Sequence, residues 1–201
     1  MKFTLLVVGR TVEKHYITAI NDYVERTKHY VSFDMEVIPE LKNTKSLSME
    51  QQKEKEGEAI LKALQPGDVV VLLDEHGKEF RSIEFANWIE RKMHTVNKRL
   101  VFIIGGPYGF SPSVYQAAQE KISLSKMTFS HQMIRLIFVE QLYRAMTILN
   151  NGPYHHEYTG YLNRRISPTF GAGESGSILF NLYRFFKRIP NFWEIEYMES
   201  P

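Results

Sequence analysis

The sequence contains no cysteine, which removes disulfides, thiolate metal sites and cysteine nucleophiles from consideration and leaves the redox compartment open. It has no marked excess of either charge: 25 basic against 23 acidic residues give a formal net charge of +2. That is too little for a field that would draw the whole molecule onto nucleic acid, so basic surface for such a partner has to be local. No apolar run approaches the ~20 residues that cross a bilayer. The short apolar stretch near the start is interrupted at Gly9 and Arg10 and has no small-residue cleavage site after it. These absences predict a soluble, cytoplasmic protein that binds neither membrane nor metal. What is plentiful is apolar mass, 43% of 201 residues, enough for one domain with a real core and some chain to spare.

The apolar residues fall into an alternation of strands and helices. Phe3 to Val8 is a compact Leu/Val run that stops at Gly9, the pattern of a strand covered on both faces, as in parallel sheets. Ile17 to Tyr30 carries helical spacing, and Phe33 to Ile38 alternates before Pro39. Residues 41–46 read as a loop. Ser48, with Gln51 three residues on, resembles a capping box opening a helix to Leu64, which Pro66-Gly67 ends. Asp68 to Leu73 is a second buried strand, Ser82 to Met93 a helix capped by Ser82, and Leu100 to Ile104 a third strand. Ser111-Pro112 can start a short helix. Ile122 to Phe129 is a short strand passing into a loop, and His131 to Leu149 is a long helix. The alternation predicts an α/β fold with a parallel sheet and right-handed crossovers. The last helix is apolar over more than one stripe, so it needs burial on several sides. A second subunit would supply this, and a homodimer is expected. Beyond Glu157 the chain turns to Gly, Ser, Thr, Pro and Arg without a clear period, a linker composition. It then gives an amphipathic Ile178 to Phe186 and an aromatic-rich Asn191 to Met198.

Two sets of residues can carry chemistry. The first comprises loops at the carboxyl ends of buried strands: Leu73-Asp74-Glu75-His76-Gly77-Lys78, Gly105-Gly106-Pro107-Tyr108-Gly109 and Leu124 to Phe129. Ligands of open α/β sheets bind in that crevice. Glycines there admit a ligand close to the backbone, or simply make a tight strand-to-helix turn. The spacing is neither the dinucleotide fingerprint nor the P-loop, so a ligand without phosphates fits better. The second set is Glu140 to Ala145 on the last helix with Pro153-Tyr154-His155-His156-Glu157 after it. Glu140 and Arg144 are one helical turn apart and form a natural ion pair. The adjacent histidines make a poor metal site because no third ligand stands at a recognisable spacing.

Together the strand-end LDEHGKEFRSIEFA, the turn IGGPYGFS, the segment ISLSKMTFSHQMIRLIFVEQLYRAMTI and the terminal PYHHE resemble the bacterial family of large-subunit ribosomal RNA methyltransferases H. That family lies in the SPOUT superfamily of trefoil-knotted methyltransferases. The likeness runs from Met1 to Glu157, and it is specific because four separated segments agree in order and spacing. It implies a parallel-sheet, knotted α/β domain over residues 1–157, followed by an irregular C-terminal extension over 158–201, and a homodimer. It also implies S-adenosylmethionine as cofactor, held by Leu73, Gly105, Gly106, Leu124, Ser125, Lys126, Met127, Thr128 and Phe129. The implied reaction is methylation of N3 of a pseudouridine in 23S rRNA of the assembled ribosome. A knot is a rare exception to unthreaded topology and comes from the resemblance alone.

The mapping makes physical sense. Leu73, Leu124, Met127 and Phe129 offer apolar walls, and the protein's task is largely to align the reacting atoms. The N3–H proton has to leave, and His155 is the first candidate acceptor because histidine titrates near neutral pH, with Glu157 and Glu140 behind it. Tyr154 can stack on a base, and Arg144 with Arg135 and Lys126 can hold phosphates. The extension departs from the family pattern. Its arginines and lysine, Arg164, Arg165, Arg184, Lys187 and Arg188, suit extra RNA contact, or the segment has no role. Two other classes stay open: a non-catalytic RNA- or ribosome-binding module that kept the fold, and a flavodoxin-like nucleotide-binding domain.

Overall fold

The computed structural model describes residues 1–41 and 46–155. His156, Glu157 and the extension with its amphipathic and aromatic segments lie outside them. One compact unit covers Met1–His156. Its elements are β1 (Lys2–Val8), α1 (Lys14–Lys28), β2 (Phe33–Ile38), α2 (Met49–Ala63), β3 (Asp68–Glu79), α3 (Ser82–Thr95), β4 (Arg99–Ile104), α4 (Pro112–Ala117), β5 (Glu120–Ser123) and α5 (His131–Leu149).

The five strands form one sheet in the order β2-β1-β4-β3-β5, and every neighbouring pair is parallel. The continuous apolar runs arise because both faces are covered. Leu6, Val70, Leu72, Val101 and Ile103 pack with Ile60 of α2 and Val114 of α4 on one face. The alternate residue Phe102 points the other way, 4.8 Å between ring centroids from Phe138 of α5 and 6.1 Å from Trp88 of α3. α5 packs against both α1 and α3. The many-sided apolarity of α5 is therefore absorbed inside one chain: Phe138, Val139 and Leu142 are fully buried without a partner. The homodimer loses the burial argument and rests on other grounds.

Local chemistry explains most boundaries. The Ser48 hydroxyl accepts from the Gln51 N–H at 3.2 Å, and the Gln51 side chain accepts from the Ser48 N–H at 3.0 Å, completing the expected capping box of α2. α1 starts three residues earlier than its periodicity predicts. Its entry is capped from a distance: Gln132 Oε1 of α5 accepts from the backbone N–H groups of Val12 and Glu13 at 2.9 and 3.0 Å. The cap of α3 is Arg81, whose backbone N–H donates to Glu84 at 3.0 Å, and Ser82 is the first helical residue. β5 ends at Ser123, so Leu124 to Phe129 is loop rather than strand. β3 continues past Leu73 through a register shift, and its second half pairs Lys78 and Glu79 with Ile122 and Ser123. Gly77 makes that curl fit, since a Cβ there would lie 2.4 Å from the Ile122 carbonyl carbon.

The strand order is fastened at the amino ends by Arg99, the first residue of β4. Its guanidinium donates to Asp68 of β3 at 2.6 and 3.0 Å, to Glu36 of β2 at 3.1 Å and to the Ala63 carbonyl at the end of α2 at 3.1 Å. Arg99 is 7% exposed, and the Asp68 side chain is only 3% exposed. Burial alone would raise the Asp68 pKa, but its hydrogen bonds to Arg99 and to the Gln65 N–H outweigh burial and hold it below the ordinary carboxylate value. Removing Arg99 would strand a buried carboxylate. Arg99→Met should cost about 3 kcal/mol, near the low end for breaking a buried pair because Glu36 can rehydrate. The check is the urea midpoint at unchanged slope; an effect under about 0.5 kcal/mol would show the cluster to be no more than an exposed ion pair.

Candidate active site

Three adjacent strands bring the first group of candidate residues to one level. Leu72 of β3 stands opposite Ile103 of β4, and Leu73 opposite Ile122 of β5. Leu73, where β3 shifts register, therefore lies beside the segments that follow β4 at Gly105 and β5 at Leu124. Leu73, Leu124, Ser125 and Phe129 are half-buried, while Lys126, Met127 and Thr128 are exposed. The Ser123 hydroxyl donates to the Ser125 carbonyl and the Ser125 hydroxyl accepts from the Met127 N–H, both at 3.0 Å. These bonds curl the loop over the strand end. Half-buried Leu73, Leu124 and Phe129 and exposed Met127 supply the apolar surface at these segments.

The glycines of this turn have causes within the chain. A Cβ on Gly105 would approach the Phe110 ring at 3.0 Å, and one on Gly106 would lie 2.0 Å from Glu56 Oε2. Gly106 is thus required by a carboxyl group that reaches in from α2. Asp74, next to Leu73, is clamped too. It accepts from the Tyr115 hydroxyl of α4 at 2.5 Å and from the His76 N–H at 2.8 Å. Neither Glu56 nor Tyr115 stood out in the sequence; α2 and α4 bring them in from a distance.

A cavity of about 360 Å³ opens beside this turn, lined by Val8, Glu40, Glu56, Gly106, His131 and Arg135 among others. It lies between the carboxyl ends of β1 and β4. There the crossover from β1 runs outward to β2 while that from β4 runs the opposite way to β5, the switch point where α/β sheets bind ligands. Arg135 is 2% exposed, donating to the Val8 carbonyl at 2.6 Å and the Thr11 hydroxyl at 3.0 Å. It is a buried tie between α5 and β1, so the expectation that it holds phosphates is corrected. Burial, with Arg135 close by, depresses the His131 pKa and favours the neutral ring.

The second group gathers elsewhere. Arg144 pairs with Glu140, as the spacing of one turn suggested. Its guanidinium lies 4.8 Å from the centroid of the Tyr154 ring. The Tyr154 hydroxyl donates to Glu140 at 2.9 Å and lies 3.1 Å from the Tyr23 hydroxyl. Burial, reinforced by the nearby Glu140, pushes the Tyr154 hydroxyl far above the usual phenol range, so it stays protonated and acts as a donor. His155, beside it, is half-buried. Glu140 lies nine residues beyond His131, about 14 Å along the axis at 1.5 Å per residue. Tyr154 sits against Tyr23 of α1 and against Glu140, Tyr143 and Arg144 of α5.

Comparison with known proteins adds to this geometry. Residues 1–155 match the model of a family described as predicted SPOUT methyltransferase. The ribosomal RNA large subunit methyltransferase H of Phocaeicola vulgatus is 94% identical over 157 residues, 78% of this chain and all of that protein. The proteins of the same name from Bacteroides thetaiotaomicron and Porphyromonas gingivalis strain ATCC 33277 are 83% and 58% identical over the same shares.

The Asp74 clamp predicts a pH dependence. Burial would raise the Asp74 pKa, but bonds from Tyr115 and His76 prevail and lower it below 3.8. A carboxylate with a depressed folded pKa adds stability that is present above its unfolded value and is lost as pH falls through the folded one. Asp74→Asn should lower the urea midpoint at pH 7 and flatten its fall between about pH 5 and pH 2. An unchanged acid limb would show that the clamp contributes nothing.

Proposed function

The chain belongs to the SPOUT methyltransferase family, and we propose that it methylates N3 of a pseudouridine in 23S rRNA of the assembled ribosome. The cofactor is S-adenosylmethionine and the working unit a homodimer in the cytoplasm. The domain responsible spans residues 1–157, with 158–201 an appended extension. The observation that carries the reading is the convergence of three strand-end segments, at Leu73, Gly105-Gly106 and Leu124 to Phe129, on one edge of the sheet.

The residues there fit the cofactor. Leu73, Leu124, Met127 and Phe129 would supply apolar contact for its adenine and methionine ends, and the backbone of Gly105, Gly106, Ser125, Lys126 and Thr128 would supply polar partners. When bound, the cofactor provides an electrophilic methyl group on its sulfonium. The chain's own contribution is alignment, which in favourable systems is worth on the order of 7–11 kcal/mol, and removal of the N3 proton. His155 takes that proton, with Glu140 behind it; Tyr154 stacks on a base and Arg144 steadies the RNA. The homodimer is supported by placement: Tyr154 lies against Tyr23 of α1 and Glu140 of α5, whereas the cofactor residues lie at the ends of β3, β4 and β5. The terminal segment of a second subunit would complete the site. The trefoil knot and the rRNA substrate come from likeness to the methyltransferases H.

Calorimetry with S-adenosylmethionine and methyl transfer to ribosomes lacking the modification test the reading. A flavodoxin-like domain would bind flavin or ATP instead, and a non-catalytic module would bind ribosomes without transfer. His155→Ala should lower kcat by about 10²–10⁴-fold, the usual range for a general base, with cofactor affinity within about twofold. Full turnover by that variant would remove His155 from the mechanism.

A further inference from the structure

Tyr115 belongs to the six-residue helix α4 and is 38% exposed, yet its side chain meets a residue from each of the three segments assigned above to the cofactor or from the strand leading into it. Its hydroxyl donates to Oδ2 of Asp74 at 2.5 Å. Asp74 directly follows Leu73, and the register shift of β3 begins there. The Tyr115 ring meets Phe110 edge to face, with centroids 5.8 Å apart and planes at 78°. Phe110 is in turn the ring that closes on Gly105, 3.0 Å from where a Cβ would stand. On a third side the Lys121 ammonium lies 5.4 Å from the centroid of the Tyr115 ring. Lys121 belongs to β5, whose last residue Ser123 is followed by Leu124.

Of these contacts the hydroxyl bond is the directional one. Oδ1 of Asp74 accepts from the His76 N–H at 2.8 Å and Oδ2 from Tyr115, so both carboxylate oxygens are used and the side chain, 7% exposed, is held in one orientation. A hydrogen bond to an ionised acceptor is roughly twice as strong as a neutral one. Burial, followed by the bond to Asp74, pushes the Tyr115 hydroxyl above the usual phenol range, and it stays a donor. The ring contacts with Phe110 and Lys121 are softer and set distance more than direction. Resting on the S-adenosylmethionine reading above, we propose that Tyr115 is a positioning residue for the cofactor site: it fixes the spacing between the Leu73 segment, the Gly105-Gly106 turn and the strand that leads to Leu124. It acts through Asp74, Phe110 and Lys121. A ligand enclosed by several chain segments is bound only as well as their separation is held by the residues behind them. Loss of the hydroxyl releases the Leu73 segment; loss of the ring releases all three.

Calorimetric titration of the full-length protein with S-adenosylmethionine is the test. Tyr115→Phe, which keeps the ring, should weaken binding about three- to tenfold, the range for one lost hydrogen bond. Tyr115→Leu, which removes the ring contacts as well, should weaken it further. The loss should fall on the cofactor: in methyl transfer to ribosomes, Tyr115→Phe should raise the KM for S-adenosylmethionine and leave the KM for ribosomes within about twofold. A role in stability alone would lower the urea midpoint of Tyr115→Phe while its cofactor affinity stayed equal to wild type. That result would overturn the positioning role and leave the cofactor reading standing. If Tyr115→Leu fails to fold, the comparison of Tyr115→Phe with wild type decides. Absence of binding by the wild-type protein would overturn the cofactor reading, and this inference with it.

Discussion

The arrangement depends on β4 lying between β1 and β3, and Arg99 is where that insertion is held. From one buried guanidinium the chain ties the start of β3, β2 on the other side of β1, and the last carbonyl of α2. Two elements that precede β4 in sequence are thus fixed on either side of it. A buried cation of this kind is usually a specificity device more than a source of net stability, since desolvation offsets much of the attraction. Here it distinguishes the observed strand order from alternatives that would bury the same Val and Ile residues equally well. With β4 in place, opposed crossovers leave β1 and β4, and the switch-point cavity exists.

Elements were legible where their pattern was local. The runs Phe3 to Val8, Asp68 to Leu73 and Leu100 to Ile104 announce buried strands because covering both faces removes every polar position. Ser48 and Gln51 announce the start of α2 because both halves of that cap lie within four residues. Boundaries drifted where the partner was distant. α1 begins early because Gln132, more than a hundred residues on, caps it. β3 runs long because its curl is stabilised by β5 and permitted by Gly77. Strand order is invisible to periodicity, which reports what is buried and never by which neighbour.

The candidate site divides in the same way. Gly105, Gly106 and Leu124 were legible as the chain just past strand ends, Leu73 proved to lie inside β3, and the Glu140–Arg144 pair followed from helical spacing. Arg135 misled, because a single cation on a helix apolar over more than one stripe gives no sign of whether it reaches solvent or is buried as a strap to β1. Glu56 was silent for the converse reason: a glutamate in the charged run EKEGE of α2 looks solvated until the fold places it against Gly106. Tyr154, from the chain after α5, and Tyr23 of α1 join the Glu140–Arg144 pair only because that chain doubles back onto α1 and α5.

The strand order also sets what the sheet shows to its surroundings. The outermost strands are β2 and β5, six and four residues long. Asp34 and Glu36 punctuate β2, and Lys2 pairs with Asp34 across its flank at 2.7 Å. β5 carries Glu120, bound by Lys92 and Trp88, and Lys121. A foreign strand seeking the open backbone of either margin meets a short template bristling with charge. The adhesive Val- and Ile-rich strands are confined to the middle, so the molecule can keep a core this apolar without polymerising edge to edge.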